Sequence, residues 1–164
     1  MTAQPTPRPR TGRSSGVGRL LIAVYGVLAL GATGRSAVQI IERFDVAPFA
    51  FTLSAIAAAV YILATVALIA PGAVWNRIAW ITIGFEAVGV LVIGALSIAM
   101  PELFPEATVW SFFGMGYLFI PLVLPWLGLW WLARNRAAER RASEAPAAVE
   151  SGVVEPGAAA SGAL

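Results

Sequence analysis

The chain has no cysteine and no histidine, and its eleven basic residues are all arginine. Without cysteine there is no disulfide framework, no thiolate nucleophile and no thiolate-held metal. Without histidine the commonest general base and zinc ligand are missing. Catalysis would have to run on carboxylates, arginine, tyrosine and hydroxyls. Charge is also scarce: 12% of the 164 residues carry one, about half the usual share of a soluble domain. With 59% of residues hydrophobic, polar surface is too small to cover a water-facing fold. Lipid is the solvent that this composition fits.

What the chain has instead is long uncharged runs. The first apolar segment starts at Val17, and "LLIAVYGVLALGATG" carries no charge from Leu20 to Gly34. Its basic leader and the small residues at 29–31 also fit a secretory signal peptide. Helical spacing continues well past that point, through "RSAVQIIERF", which favours a retained span. Residues 49–70 and 108–133 are uncharged for 22 and 26 residues, and residues 78–100 hold one charge, Glu86, in 23. Each run is long enough for a helix to cross a hydrocarbon core, which takes roughly 20 residues. The alternation of a membrane β-barrel is absent. The pattern predicts an all-α membrane protein, a bundle of four transmembrane helices at about 17–41, 49–70, 78–100 and 108–133.

Both ends differ in character from the bundle at 17–133. Residues 1–16 are rich in Pro, Ser, Thr and Arg and read as a disordered basic tail. Residues 134–164 begin with "RNRAAERR" and continue as an Ala/Gly/Glu low-complexity tail, expected to be disordered. Arginine placement sets the orientation. Arg8, Arg10, Arg13, Arg19, Arg77, Arg134, Arg136, Arg140 and Arg141 fall on one side of a four-span chain, and Arg35 and Arg43 on the other. Both termini are therefore expected in the cytoplasm, and the protein in the inner (plasma) membrane. Trp75, Trp80, Trp126, Trp130 and Trp131 map to the inner interface and Trp110 to the outer one, where indole rings are favoured. The cluster Arg134, Arg136, Arg140 and Arg141 reads first as a topology signal and second as a contact for anionic headgroups.

Three stretches, "GRSAVQIIERFDVAP" (34–48), "PELFPEATVWSFFGMGY" (101–117) and "FIPLVLPWLGL" (119–129), resemble a family of small integral membrane proteins of actinobacteria. The likeness covers about residues 19–133. It implies a four-span inner-membrane protein and brings no activity, cofactor or site residue with it.

Two polar groupings remain. Tyr25, Leu28, Ala32, Arg35, Gln39 and Glu42 follow one helical stripe. Arg35 lies about 24 Å beyond Arg19 along the helix, near the outer edge of the core. It reads as an interfacial anchor, or as part of a polar mouth formed by Arg35, Gln39 and Glu42. Glu86 stands about 13 Å inward of Arg77, too deep to reach headgroups. Counting rise places Tyr61 at its level, Tyr25 slightly lower and Pro121 opposite. Thr82, Glu86, Gly89 and Ile93 form one face of span three. Pro121 and Pro125 lack amide protons and free the carbonyls of Tyr117 and Pro121. Glu86 is expected to face the interior, together with Tyr25, Tyr61, Tyr117 and Pro121, and to bond a tyrosine oxygen or a freed carbonyl. It is then a structural latch, or a proton-binding carboxyl. On span two, Ser54, Ala55, Ala58 and Ala59 offer a small face for a neighbour in the same chain or another copy.

An enzyme is not expected: there is no nucleophile–base pair, metal-ligand spacing or phosphate-cradling loop, and no cofactor is indicated. Arginine tails without interleaved aromatics give no nucleic-acid surface. The expected role is association with membrane proteins or lipids as an accessory or scaffold bundle, homo- or hetero-oligomeric. The alternative is a small oligomeric proton-coupled transporter or channel using Glu86.

Overall fold

The computed structural model describes residues 16–151, with side chains described through residue 141. Among the described residues every regular element is helical. Helix α1 is Gly16–Arg43, α2 is Pro48–Ile69, α3 is Ala73–Ala99 and α4 is Ile120–Ser151. Three short 3₁₀ pieces, Phe44–Val46, Pro101–Leu103 and Ser111–Tyr117, fill the connections. The disordered stretch expected at 1–16 lies outside the described residues except for Gly16, which opens α1.

The breaks follow from the residues at them. Pro48 sits at the start of α2, where its missing amide would have had no partner. Between α2 and α3, Pro71 cannot continue the helix, and Gly72 takes φ 113°, a conformation that side chains resist. Pro101 follows the last residues of α3 in the same way. Helices α1, α2 and α3 are long and apolar enough to cross a membrane; the 22 residues of α2 rise about 33 Å. Consecutive helices run in opposite directions. The end of α1, the start of α2 and the end of α3 share one end of the molecule, hereafter the Arg43 end. The start of α1, the end of α2 and the start of α3 share the opposite, Arg77 end.

The expected fourth span is not one helix. Ser111–Tyr117 and the helix that starts at Ile120 differ in direction by 97°, so they make either one broken crossing or a re-entrant piece. Phe112, Phe113 and Gly114 all have positive φ, and so do Leu118 and Phe119. A run of left-handed residues cannot be continued into a right-handed helix. Pro121, expected to free the Tyr117 carbonyl inside a span, is instead the second residue of α4, where a proline costs nothing. Pro125, one turn on, does lie within the helix and has no amide to give the Pro121 carbonyl.

The core is built mainly from alanine and aromatics. The buried residues of α2 are Ala50, Phe51, Ser54, Ala57, Ala58, Tyr61, Ala64, Ala67 and Leu68. Small side chains at this spacing let neighbouring helices approach closely. The stripe runs beside the expected small face: Ser54 and Ala58 are buried, Ala55 is half-buried and Ala59 is exposed. Outward faces are apolar as well, with Leu30, Ile41 and Val88 largely exposed, a surface that suits acyl chains.

The chain divides into a unit ending at Leu132 and a second that begins at Ala133. In the second, α4 runs on through the basic segment and the first residues of the expected tail to Ser151, and the rest of that tail, 152–164, lies outside the described residues. Its Ala, Arg and Glu residues are strong helix formers. Arg134, Arg136, Arg140 and Arg141 are exposed on it.

Candidate functional site

Glu86 lies in the middle of α3 and is wholly buried. Its place follows from helical spacing, since Thr82, Glu86, Val90 and Ile93 share the buried face. Among the described residues its Oε2 accepts a hydrogen bond from the Tyr25 hydroxyl of α1 at 2.7 Å. Its Oε1 has no hydrogen-bond partner. The bond is to a tyrosine, not to a carbonyl freed by proline.

Tyr61 of α2 is wholly buried beside this pair, its ring centroid 6.3 Å from that of Tyr25. The Tyr61 oxygen accepts from Trp110 Nε1 at 3.0 Å. Trp110 precedes the left-handed segment and is almost completely buried, so the expected outer-interface position of this indole is corrected. Its ring lies over Gly89, one turn from Glu86; a Cβ there would fall 2.9 Å from the ring. Phe85 packs edge-on against the same indole, with centroids 6.2 Å apart. Two hydrogen bonds and two ring contacts thus gather Tyr25 of α1, Tyr61 of α2, Phe85 and Glu86 of α3, and Trp110.

The irregular segment is held by side chains that composition did not single out. Thr108 Oγ1 accepts from the amides of Trp110 and Ser111 at 3.2 and 3.0 Å, and Ser111 Oγ accepts from the Thr108 amide at 2.9 Å. This reciprocal pair works like a capping box, satisfying donors that have no helical partner. Ser97 of α3 accepts from the amide of Phe112 at 2.7 Å and donates to the Gly94 carbonyl at 2.9 Å. Gly94 is the seat for Phe113: a Cβ on it would come 2.5 Å from the Phe113 ring and 2.9 Å from the Phe113 nitrogen. The recognisable signal was the pair of glycines, Gly89 and Gly94, on a span facing "WSFFGMGY".

Of the remaining residues in the expected interior set, Pro121 is buried and Tyr117 half-buried. Pro121 packs against Gly114, where a Cβ would meet the proline ring at 2.9 Å. Neither residue bonds Glu86. Gly128 of α4 does approach the pair, since a Cβ there would lie 3.6 Å from the Tyr25 hydroxyl.

The expected cluster of Arg35, Gln39 and Glu42 is not assembled. Arg35 donates through Nη2 to the Ala107 carbonyl at 2.7 Å, Glu42 is exposed, and the Gln39 Oε1 is buried without a partner. The ion pair at this end joins Arg43 and Glu106 at 3.6 Å. A single residue of register, about 100° around the helix, separates them: Arg43, not Glu42, reaches the loop that carries Glu106.

Among the described residues no group of three or more Asp or Glu could hold a metal ion. What the site can do is hold a proton, or accept a further hydrogen bond, on Glu86 Oε1. No protein-family model, curated protein or solved structure matches this chain.

Proposed function

We propose that the chain is an integral protein of the inner membrane, with both termini in the cytoplasm, that acts by association with membrane proteins or lipids as a small accessory or scaffold bundle. The observation that carries this reading is the use made of the ionisable group. Glu86 bonds to Tyr25, and Tyr61 beside it bonds to Trp110, so polar groups are spent on joining elements. Interhelical bonds of this kind are worth about 1 kcal/mol in a membrane. The apolar outer faces and the exposed arginines Arg134, Arg136, Arg140 and Arg141 supply the surfaces for neighbours and anionic headgroups. Membership of the actinobacterial membrane family belongs to the same proposal. Glu86→Gln in the native membrane tests it: loss of a co-purifying protein or of stability, with no proton or solute flux in liposomes, is the expected result.

A second reading, a small proton-coupled transporter or channel, draws on one specific observation. Glu86 Oε1 is buried without a close partner, and the fourth apolar stretch is bent by 97° between Tyr117 and Ile120. Intramembrane carboxyls and broken helices are both recurrent parts of transport sites. Flux that Glu86→Gln abolishes while the fold survives would establish this reading and displace the first.

A further inference from the structure

The hydroxyls of the spans fall into two groups. Thr52, Thr65 and Thr82 turn back to the carbonyl four residues earlier on their own helix, and Ser97 to that three residues earlier, at 2.7–2.9 Å. This is the ordinary way a helix disposes of a hydroxyl. Ser36 and Ser54 do not do it. Both are buried, at 4% and 0% exposure, and their Oγ atoms have no hydrogen-bond partner. Gln39 Oε1 is buried and unpartnered in the same way.

These residues share a level and a direction. Ser36 is seven residues before Arg43 and Ser54 six after Pro48, so each lies about 10 Å below the α1–α2 connection. Gln39 is one turn nearer that connection. Ser54 and Tyr61 are two turns apart on the buried stripe of α2, and Ser36 continues the buried stripe of α1 that holds Ala32, Leu28 and Tyr25. Between the serines and the tyrosines stand the small side chains Ala32, Ala57 and Ala58. The row of orphaned polar atoms ends at Glu86 Oε1. Toward the Arg77 end the buried polar atom is an indole nitrogen, Trp80 Nε1, set among apolar side chains. Thr65 and Thr82 are turned back on their own helices, and Leu21, Leu68, Ala79, Ile83, Leu124 and Trp131 are buried there.

Buried polar atoms without protein partners are where internal water binds, each water bridging about three of them. We propose that Gln39, Ser36 and Ser54 line a hydrated seam between α1 and α2 that connects Glu86 with the aqueous phase at the Arg43 end, the Arg77 end being closed by apolar side chains. Water is the ligand of this site. The inference concerns access to Glu86, and stands apart from whether Glu86 latches the bundle or carries protons.

The cysteine-free chain makes the test direct. Single substitutions Ser36→Cys, Ser54→Cys and Gln39→Cys, with Ala64→Cys and Ala79→Cys as references, are made in the full chain and reconstituted in vesicles. Retained helicity and a retained Trp emission spectrum select the variants that fold. The probe is a small, charged, membrane-impermeant methanethiosulfonate, which needs water and a thiolate. The three seam positions are expected to react at least about tenfold faster than the two references, and only from the side on which Asp45→Cys reacts. Equal, slow labelling at all five positions would overturn the proposal, since the serines would then be turned back on their helices. Labelling of Ala64→Cys or Ala79→Cys as fast as Ser54→Cys would also overturn it, by removing the one-sided closure. Labelling reads access alone, so a negative Glu86→Gln result in flux or co-purification leaves it standing.

Discussion

The Tyr25 hydroxyl and Glu86 Oε2 meet at 2.7 Å between α1 and α3, and both residues are fully buried. The bond is the shortest contact of the carboxyl, which the Tyr61 hydroxyl also approaches. Tyr25→Phe removes the 2.7 Å bond and leaves Tyr61 as the neighbouring hydroxyl. It should cost about 1–3 kcal/mol of stability, read from reversible unfolding in mixed micelles. Glu86→Gln retains an oxygen to accept from Tyr25 and should cost less. A double-mutant cycle between the two should return a coupling of roughly 0.5–2 kcal/mol; a coupling near zero would show that the pair is not joined.

Gly94 and Gly84 form a matched test of close packing on α3. A Cβ on Gly94 would press on the ring and the backbone nitrogen of Phe113, whereas one on Gly84 meets nothing within 4 Å. Gly94→Ala should lower the melting temperature by several degrees, corresponding to about 1–3 kcal/mol of overpacking. Gly84→Ala should leave it unchanged or raise it slightly, since alanine is the better helix former by about 1 kcal/mol. Thermal melts followed by circular dichroism in detergent distinguish the two.

Arg35 and Arg43 both reach the loop before the left-handed segment, but with different consequences. Arg35 satisfies the Ala107 carbonyl at 2.7 Å, while the Arg43–Glu106 pair is long at 3.6 Å and its arginine is 57% exposed. Exposed pairs of that kind contribute about 0–1 kcal/mol. Arg35→Ala should speed hydrogen exchange across residues 104–110, and Arg43→Ala should leave it near the native rate.

Ser97→Ala removes the acceptor of the Phe112 amide, which has positive φ and no helical partner. Amide exchange at residues 111–114 should rise about tenfold, the effect of losing a bond worth about 1–1.5 kcal/mol. Ser97→Thr, which keeps the hydroxyl, should restore protection if the added methyl is accommodated. Exchange in α2 serves as the internal standard and should not change.

The three straight helices were legible in uncharged runs of adequate length, and their ends in Pro48, Pro71–Gly72 and Pro101. That Tyr25 and Tyr61 stand beside Glu86 followed from rise per residue alone. The corner at 112–119 did not, because its residues are as apolar as a span and hydropathy does not report the sign of φ. The proline at 121 was ambiguous for the same reason: it marks a helix start as readily as a kink. Trp110 was misplaced because a tryptophan near a span end fits the interfacial rule, whereas here Gly89 makes room for it in the interior. At the Glu106 loop it is Arg43 that pairs, the residue next to the stripe that holds Glu42, and stripe counting carries no information on the loop opposite.

The left-handed corner carries a consequence for how the molecule is made. Its amide at Phe112 and its ring at Phe113 are received by Ser97 and Gly94, both on the helix synthesised just before it. A nascent polypeptide emerging N-terminus first presents that receptacle before the piece that occupies it. The corner can therefore settle only on a helix that already exists when it is made.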